Sequence, residues 1–215
     1  AIVHLWQGGG TAREREGLRR LMTPRAGLRI LVVNTEAISA SARALETVMD
    51  FVRSGERCYA AVDEASTIKN PTARRTKNLL KIARMPQVTM RRIATGSPVP
   101  RGPLDLYSQF EFLEPACLGY RSFFGFRGTY AVVQKKEFGG RSVDVVVAYR
   151  NIEELGQRIA RHAYVVKKED CLDLPEKVYT TRDVELTDEQ QRMYTEVRDW
   201  ATTEIDAGRF VTATA

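Results

Sequence analysis

Arg57-Cys58-Tyr59-Ala60-Ala61-Val62-Asp63-Glu64-Ala65-Ser66 is the stretch whose reading decides the fold. A β-prone run ends abruptly in two carboxylates. In an open α/β sheet, ligands gather beyond the carboxyl ends of the strands. Asp63 and Glu64 are therefore expected to project into a site. Two adjacent acids there suit nucleotide hydrolysis. Asp63 would hold a Mg2+ that bridges phosphates, and Glu64 would orient or deprotonate the attacking water. Taken alone, the pair also reads as a solvated acidic exit from a strand, so the flanking sequence has to decide.

Upstream, Leu28–Asn34 is nearly continuous in apolar residues, as a buried parallel strand should be. Ile38, Ala42, Leu45, Met49 and Val52 then recur at helical spacing and predict one helix, stopped near Gly55. Downstream, Asn70-Pro71 is expected to open a helix, with Asn as N-cap and Pro at the first position. Ala73, Leu80 and Ala83 would face the sheet, leaving Arg74, Arg75, Lys77 and Lys81 to stay in water or meet phosphates. A strand over Met90–Thr95 follows, ending in Thr95-Gly96-Ser97-Pro98. Strand, helix, strand over this distance is a βαβ unit, so the sheet is parallel and Asp63 and Thr95 share one edge of it.

Residues 1–6 read as a further strand and residues 12–22 as a charged surface helix. Gly8-Gly9-Gly10 between them is expected to be a turn. A phosphate loop needs G-x-x-x-x-G-K-[ST], and the sequence contains no Gly-Lys dipeptide. Past Pro98 the expected order is a helix near Asp105–Leu113 and an aromatic-rich stretch, with Tyr120, Phe123, Phe124 and Phe126 in the core. A hairpin over 129–149 around Glu137-Phe138-Gly139-Gly140 follows, then a helix from Asn151 using Ile152, Leu155 and Ile159. Tyr164-Val165-Val166 reads as strand-like, leads through Leu172–Pro175 and is followed by another strand to Leu186. Thr187-Asp188-Glu189-Gln190 is a capping box opening a last helix with Met193, Val197, Trp200 and Ala201 on its apolar stripe.

The chain has 215 residues and a net charge of +6. No acid occurs between Glu64 and Asp105, an interval that holds Lys69, Arg74, Arg75, Lys77, Lys81, Arg84, Arg91, Arg92 and Arg101. The rest of the chain is net negative. A positive stripe beside a phosphate-type site points to a polyanion, most simply nucleic acid, with a solvated basic helix face as the alternative. Cys58, Cys117 and Cys171 show no CxxC spacing, which argues against zinc and a disulfide framework and for reduced thiols in the cytoplasm. No apolar run reaches the roughly 18 residues of a membrane span, and no signal-peptide pattern opens the chain. Because the first residue is Ala1, the chain is expected to be an excerpt or a processed product.

The combination of segments resembles the first RecA-like lobe of the Swi/Snf-type ATPases of helicase superfamily two. Asp63-Glu64-Ala65-Ser66 looks like the DExx (Walker B) motif, and Ile68-Lys69-Asn70 is similar to the I/L-K-N that follows it. Ala94-Thr95-Gly96-Ser97-Pro98 resembles L-T-G-T-P. Leu104–Ser108 and Phe112–Pro115 resemble the L-x-E-L-x-S and F-L-x-P that come next. Leu174-Pro175-Glu176-Lys177 and Val184–Thr187, with Gln190 and Tyr194, are similar to the passage into the second lobe. The hairpin and Tyr149-Arg150-Asn151 look most like bacterial or phage members.

The resemblance implies a RecA-like parallel sheet flanked by helices, with a β-hairpin insertion and a C-terminal helix. Its divisions are a partial first lobe over 1–115, a helical and hairpin extension over 116–175, and the beginning of a second lobe over 176–215. It implies ATP and Mg2+ at Asp63 and Glu64, with the Thr95 and Ser97 hydroxyls bonding the carboxylates and reporting the phosphate state. It implies double-stranded DNA as partner: Asn34 and Thr35 resemble a backbone-contacting segment, while Lys69, Arg74 and Arg75 would meet a phosphate backbone or the second lobe. The Lys-bearing Walker A loop with its central strand, and most of the second lobe with its arginine finger, are missing from this sequence. The 215-residue piece is therefore expected to hydrolyse ATP negligibly by itself. The alternative is a non-catalytic nucleic-acid-binding or protein-interaction module.

Overall fold

The computed structural model describes residues 1–8, 10–24, 26–138, 141–166, 171, 178–200, 202–206 and 209–212. Two compact units emerge, Ala1–Tyr164 and Val165–Ala215. The first is mixed α/β, as expected of a partial RecA-like lobe. Its elements run β1 (Ile2–Leu5), α1 (Ala12–Met22), β2 (Arg29–Val32), α2 (Thr35–Ala40), α3 (Ala42–Arg53), β3 (Cys58–Val62), a 3-10 turn (Ala65–Ile68), α4 (Arg74–Ala83) and β4 (Val88–Ile93). A second 3-10 turn (Pro103–Asp105), α5 (Leu106–Leu113), α6 (Phe123–Tyr130), β5 (Ala131–Phe138), β6 (Arg141–Tyr149) and α7 (Ile152–Ala160) follow.

β1 pairs with β2 and β3 with β4, both in parallel. β2 and β3 share no ladder, so the parallel strands form two separate two-stranded sheets. The expected single helix over 38–52 is two helices. Ser41 is extended (φ −121°, ψ 119°) and its hydroxyl accepts from Ala44 N at 3.2 Å, so a cap interrupts the apolar periodicity. The helix expected from Asn70 begins at Arg74 instead. Asn70 Oδ1 accepts from Thr72 N at 2.9 Å and Thr72 Oγ1 at 2.8 Å, a local turn that competes with capping.

Val62, Ile68, Leu79, Ile82, Val88 and Phe112 form the core beneath β3 and β4. A second cluster, including Leu106, Tyr107, Phe110, Phe126, Tyr130 and Leu155, joins α5, α6 and α7. Phe123, Phe126 and Tyr130 share one face of α6 at helical spacing. Phe124 therefore points away, 75% exposed and stacked under the Arg127 guanidinium at 5.3 Å, contrary to the expected core role. The hairpin forms as expected, with β5 and β6 antiparallel. Gly139 and Gly140 lie outside the described residues.

Among the described residues, each parallel ladder is covered by helices on one face only. His4 lies so close to α1 that a Cβ on Gly17 would meet its ring at 2.7 Å. The Arg29 guanidinium donates to Leu21 O, Met22 O and Ser54 O, joining the ends of α1 and α3. On the opposite face Val3, Leu5 and Val32 are exposed, as is the cross-strand pair Tyr59 (54%) and Met90 (55%). Parallel sheets are ordinarily covered on both sides.

In the second unit, Thr187 and Gln190 form the expected reciprocal cap, Thr187 N donating to Gln190 Oε1 (3.1 Å) and Gln190 N to Thr187 Oγ1 (3.3 Å), ahead of α8 (Asp188–Trp200). An antiparallel pair, β7 (Thr202–Asp206) and β8 (Arg209–Thr212), follows that the sequence reading did not anticipate. The expected strands at Tyr164–Val166 and up to Leu186 are absent among the described residues. Tyr164 and Val165 are 92% and 77% exposed, and β-prone residues without a pairing partner do not make a strand. Leu172–Pro175 lies outside the described residues. Among the described residues no helix is long and apolar enough to cross a membrane.

Candidate functional site

The pairing of β3 with β4 brings the acids and the hydroxyls to one sheet end. The ladder runs on past the strands, with Ala94 N donating to Val62 O and Ala65 N to Ala94 O, each at 2.9 Å. Asp63 and Glu64 thus leave β3 beside Thr95 as it leaves β4. Asp63 Oδ1 accepts from Glu64 N at 3.0 Å, a local turn that directs the chain into the 3-10 segment. Glu64 has φ 50° and ψ 55°, the left-handed region that costs an L-residue about 1–2 kcal/mol. Its backbone is held there by Thr67 N donating to Glu64 O at 2.9 Å and by the Ala65–Ala94 bond.

The Thr95 hydroxyl donates to Glu64 Oε2 at 3.4 Å and accepts from Ser97 N at 3.2 Å. One oxygen therefore connects the carboxylate to the turn that carries Ser97. Asp63, Glu64 and Ser97 are exposed. Among the described residues no group of three or more His, Cys, Asp or Glu could enclose a metal. Two exposed carboxylates beside the Thr95 hydroxyl, all hard oxygen donors, nevertheless fit Mg2+, which keeps several waters and takes one or two carboxylates with substrate phosphates.

The basic stripe is less uniform than the sequence implied. Arg91 donates to Ala83 O (2.7 Å), Val88 O (3.0 Å) and Leu113 O (3.5 Å), tying α4 and α5 to β4. Arg84 pairs with the buried Glu111 at 3.0 Å. Half-buried Arg75 reaches Glu36 at 3.5 Å, and its Nε has no partner among the described residues. Arg74, Lys77 and Lys81 remain exposed along one face of α4. A groove of about 500 Å³ between α3 and α4 sets Glu46 and Asp50 opposite Arg74 and Lys81. Asn34 caps α2, its Oδ1 accepting from Glu36 N at 2.8 Å, which leaves Thr35 at the first helical position. Lys69 is half-buried just past the 3-10 turn.

Sequence reasoning missed Gln109. This residue is 1% exposed, and its Nε2 donates to Pro98 O at 2.7 Å and Asp105 O at 2.9 Å. A polar residue at a core position of an apolar helix was the available signal.

A family profile described as the SNF2-related domain matches residues 26–214. The chain is 27% identical over 173 residues to the TATA-binding protein-associated factor MOT1 of Saccharomyces cerevisiae, covering 80% of this chain and 9% of that protein. It is 26% identical over 173 residues to the TATA-binding protein-associated factor 172 of Homo sapiens, with the same coverage of 80% and 9%. It is 24% identical over 138 residues to the helicase-like transcription factor of Mus musculus, covering 64% of this chain and 13% of that protein. The chain thus spans about a tenth of the length of these curated relatives. All three come from eukaryotes, and the bacterial or phage likeness of the hairpin finds no support in them.

Proposed function

This chain belongs to the SNF2-related domain family, and we propose that it is part of the ATP-hydrolysing motor of a longer protein that moves along double-stranded DNA. The observation that carries this reading is the contact of the Thr95 hydroxyl with the Glu64 carboxylate at the shared end of β3 and β4. Phosphoryl transfer needs positioned charge more than covalent chemistry from the protein. Asp63 would hold Mg2+, which when bound neutralises phosphate charge. Glu64 would orient the attacking water and take its proton, help typically worth about 10²–10⁴ in rate. Thr95 and Ser97 would register whether the terminal phosphate is present. Residues 1–115 then form the partial first lobe, 116–175 its extension and 176–215 the start of the second.

The phosphate-loop lysine and the helical layer for the bare sheet face would come from other parts of the parent chain. Asn34, Thr35, Lys69, Arg74 and Arg75 would face the DNA backbone, Arg75 only after releasing Glu36. The exposed row Arg74, Lys77 and Lys81 on α4 favours a second reading, nucleic-acid binding without turnover.

The test compares DNA-stimulated ATP hydrolysis by this chain with that of the parent protein. The parent should turn over and Glu64→Gln should abolish it, while the 215-residue chain should be nearly inactive. Robust turnover by this chain, lost in Glu64→Gln, would refute the dependence on the missing segments. A parent that binds DNA but hydrolyses nothing would refute the motor.

A further inference from the structure

The seven residues Gly96–Gly102 leave the carboxylate site and are gripped along their length. At the near end, Ser97 N and Glu64 Oε2 both bond the Thr95 hydroxyl. In the middle, Gln109 holds the Pro98 carbonyl from within α5. Both partners of the Gln109 amide are carbonyl oxygens, so its nitrogen must face them and the orientation is not arbitrary. Towards the far end, Arg101 N donates to Asp105 Oδ2 at 2.8 Å and Asp105 N to Gly102 O at 3.0 Å. Gly102 itself has φ 155°, and a Cβ there would land on the hydroxyl of Tyr149, the last residue of β6. One short strap therefore spans from the Glu64 contact to the base of the hairpin.

A buried primary amide is costly unless bonded, and an aliphatic side chain of the same volume would occupy this buried position without that cost. The amide at 109 thus contributes something that apolar packing does not, the fixed position of the Pro98 carbonyl.

We propose that Gln109 is a positioning residue. It acts through the Pro98 carbonyl to keep the Thr95–Ser97 turn in hydrogen-bonding register with Glu64, and the Gly102–Tyr149 contact anchors the other end of the same strap to the hairpin. Its effect on turnover rests on the motor reading above, while the positioning itself does not.

The experiment uses Gln109→Met, which keeps the volume and removes the donor. Nuclear magnetic resonance of this chain reads the Thr95 methyl and the Ser97 amide. Losing a hydrogen bond worth about 1–1.5 kcal/mol should speed Ser97 amide exchange about tenfold and loosen the Thr95 methyl. The β3 and β4 amides should keep their wild-type exchange. Gly102→Ala, which displaces Tyr149 with Gln109 intact, should perturb the same two signals, and it covers the case in which Gln109→Met does not fold. In the parent protein Gln109→Met should lower kcat for ATP and leave KM unchanged. Wild-type Thr95 and Ser97 signals in a folded Gln109→Met chain would overturn the proposal, as would unaltered kcat in a chain whose turn has loosened. A parent without ATPase activity would sink the motor reading and leave the resonance result standing.

Discussion

Glu64 offers a measurement that separates backbone from side chain. Replacing it by Ala or by Gly deletes the same carboxylate and the same contact with Thr95. The two variants differ only in how they tolerate φ 50° and ψ 55°. Ala carries the left-handed cost of about 1–2 kcal/mol, and Gly does not. Gly has more freedom to lose on folding, worth about 0.4–1 kcal/mol. The difference leaves Glu64→Gly more stable than Glu64→Ala by about 1 kcal/mol. For a chain of this size that is about 2–4 °C in melting temperature, and urea unfolding should report the same sign. Ala116, at φ 60°, provides an internal control: Ala116→Gly should gain a similar amount with no carboxylate involved. If Glu64→Gly proves no more stable than Glu64→Ala while Ala116→Gly is stabilised, the conformation assigned to Glu64 is wrong. The claim that the site holds its acid in a strained geometry would then fail.

Further outcomes follow from other parts of the first unit. Ser108 Oγ is buried without a partner among the described residues, so Ser108→Ala should stabilise by about 1 kcal/mol in urea unfolding; a loss of stability would reveal a hidden partner. The Glu154 carboxyl sits below its ordinary range because the Tyr130 hydroxyl and then the Arg158 guanidinium bond it, while burial first and Glu154 second push the Tyr130 hydroxyl up, keeping it protonated. A lowered carboxyl stabilises the fold above its unfolded value near 4.5 and loses that contribution as pH falls through its folded value. Tyr130→Phe should therefore raise the pH at which α7 loosens in acid, and an unchanged acid transition would contradict the pairing. On duplex DNA, Arg74→Ala should flatten the dependence of log K on log[salt] by about 0.9 if it meets one phosphate. Arg75→Ala should flatten it as well and should also lower stability in urea unfolding, through the loss of its Glu36 contact and half-buried stem; wild-type stability would contradict the Glu36 pairing.

Most of the first unit was legible because its signals are short-range. In the first unit the apolar run before Asp63 and the βαβ spacing, and in the second the capping box, each rest on nearby residues, and each appears where the pattern places it. The failures share a cause in competition or partnering that spacing does not encode. Ser41 and Asn70 spend their side chains on local bonds that break or delay helices. Tyr164–Val166 has β-prone residues and no strand partner among the described residues. The charge count between Glu64 and Asp105 showed the sign of the stripe, but not that Arg84 and Arg91 are spent on Glu111 and on backbone carbonyls. At the site, the meeting of Thr95 with Glu64 followed from parallel pairing. The left-handed turn at Glu64 and the role of Gln109 depend on three-dimensional closure, and no local pattern announces them.

The uncovered side of the ladders has a chemical consequence. Met90 places its thioether there beside Tyr59, where peroxide can reach it. Sulfoxide formation at that one sulfur is thus an intrinsic gauge of whether a further layer has closed over the strands: rapid in this chain, slow wherever the layer is in place. No added label is needed, only the gain of one oxygen atom by the peptide that carries Met90.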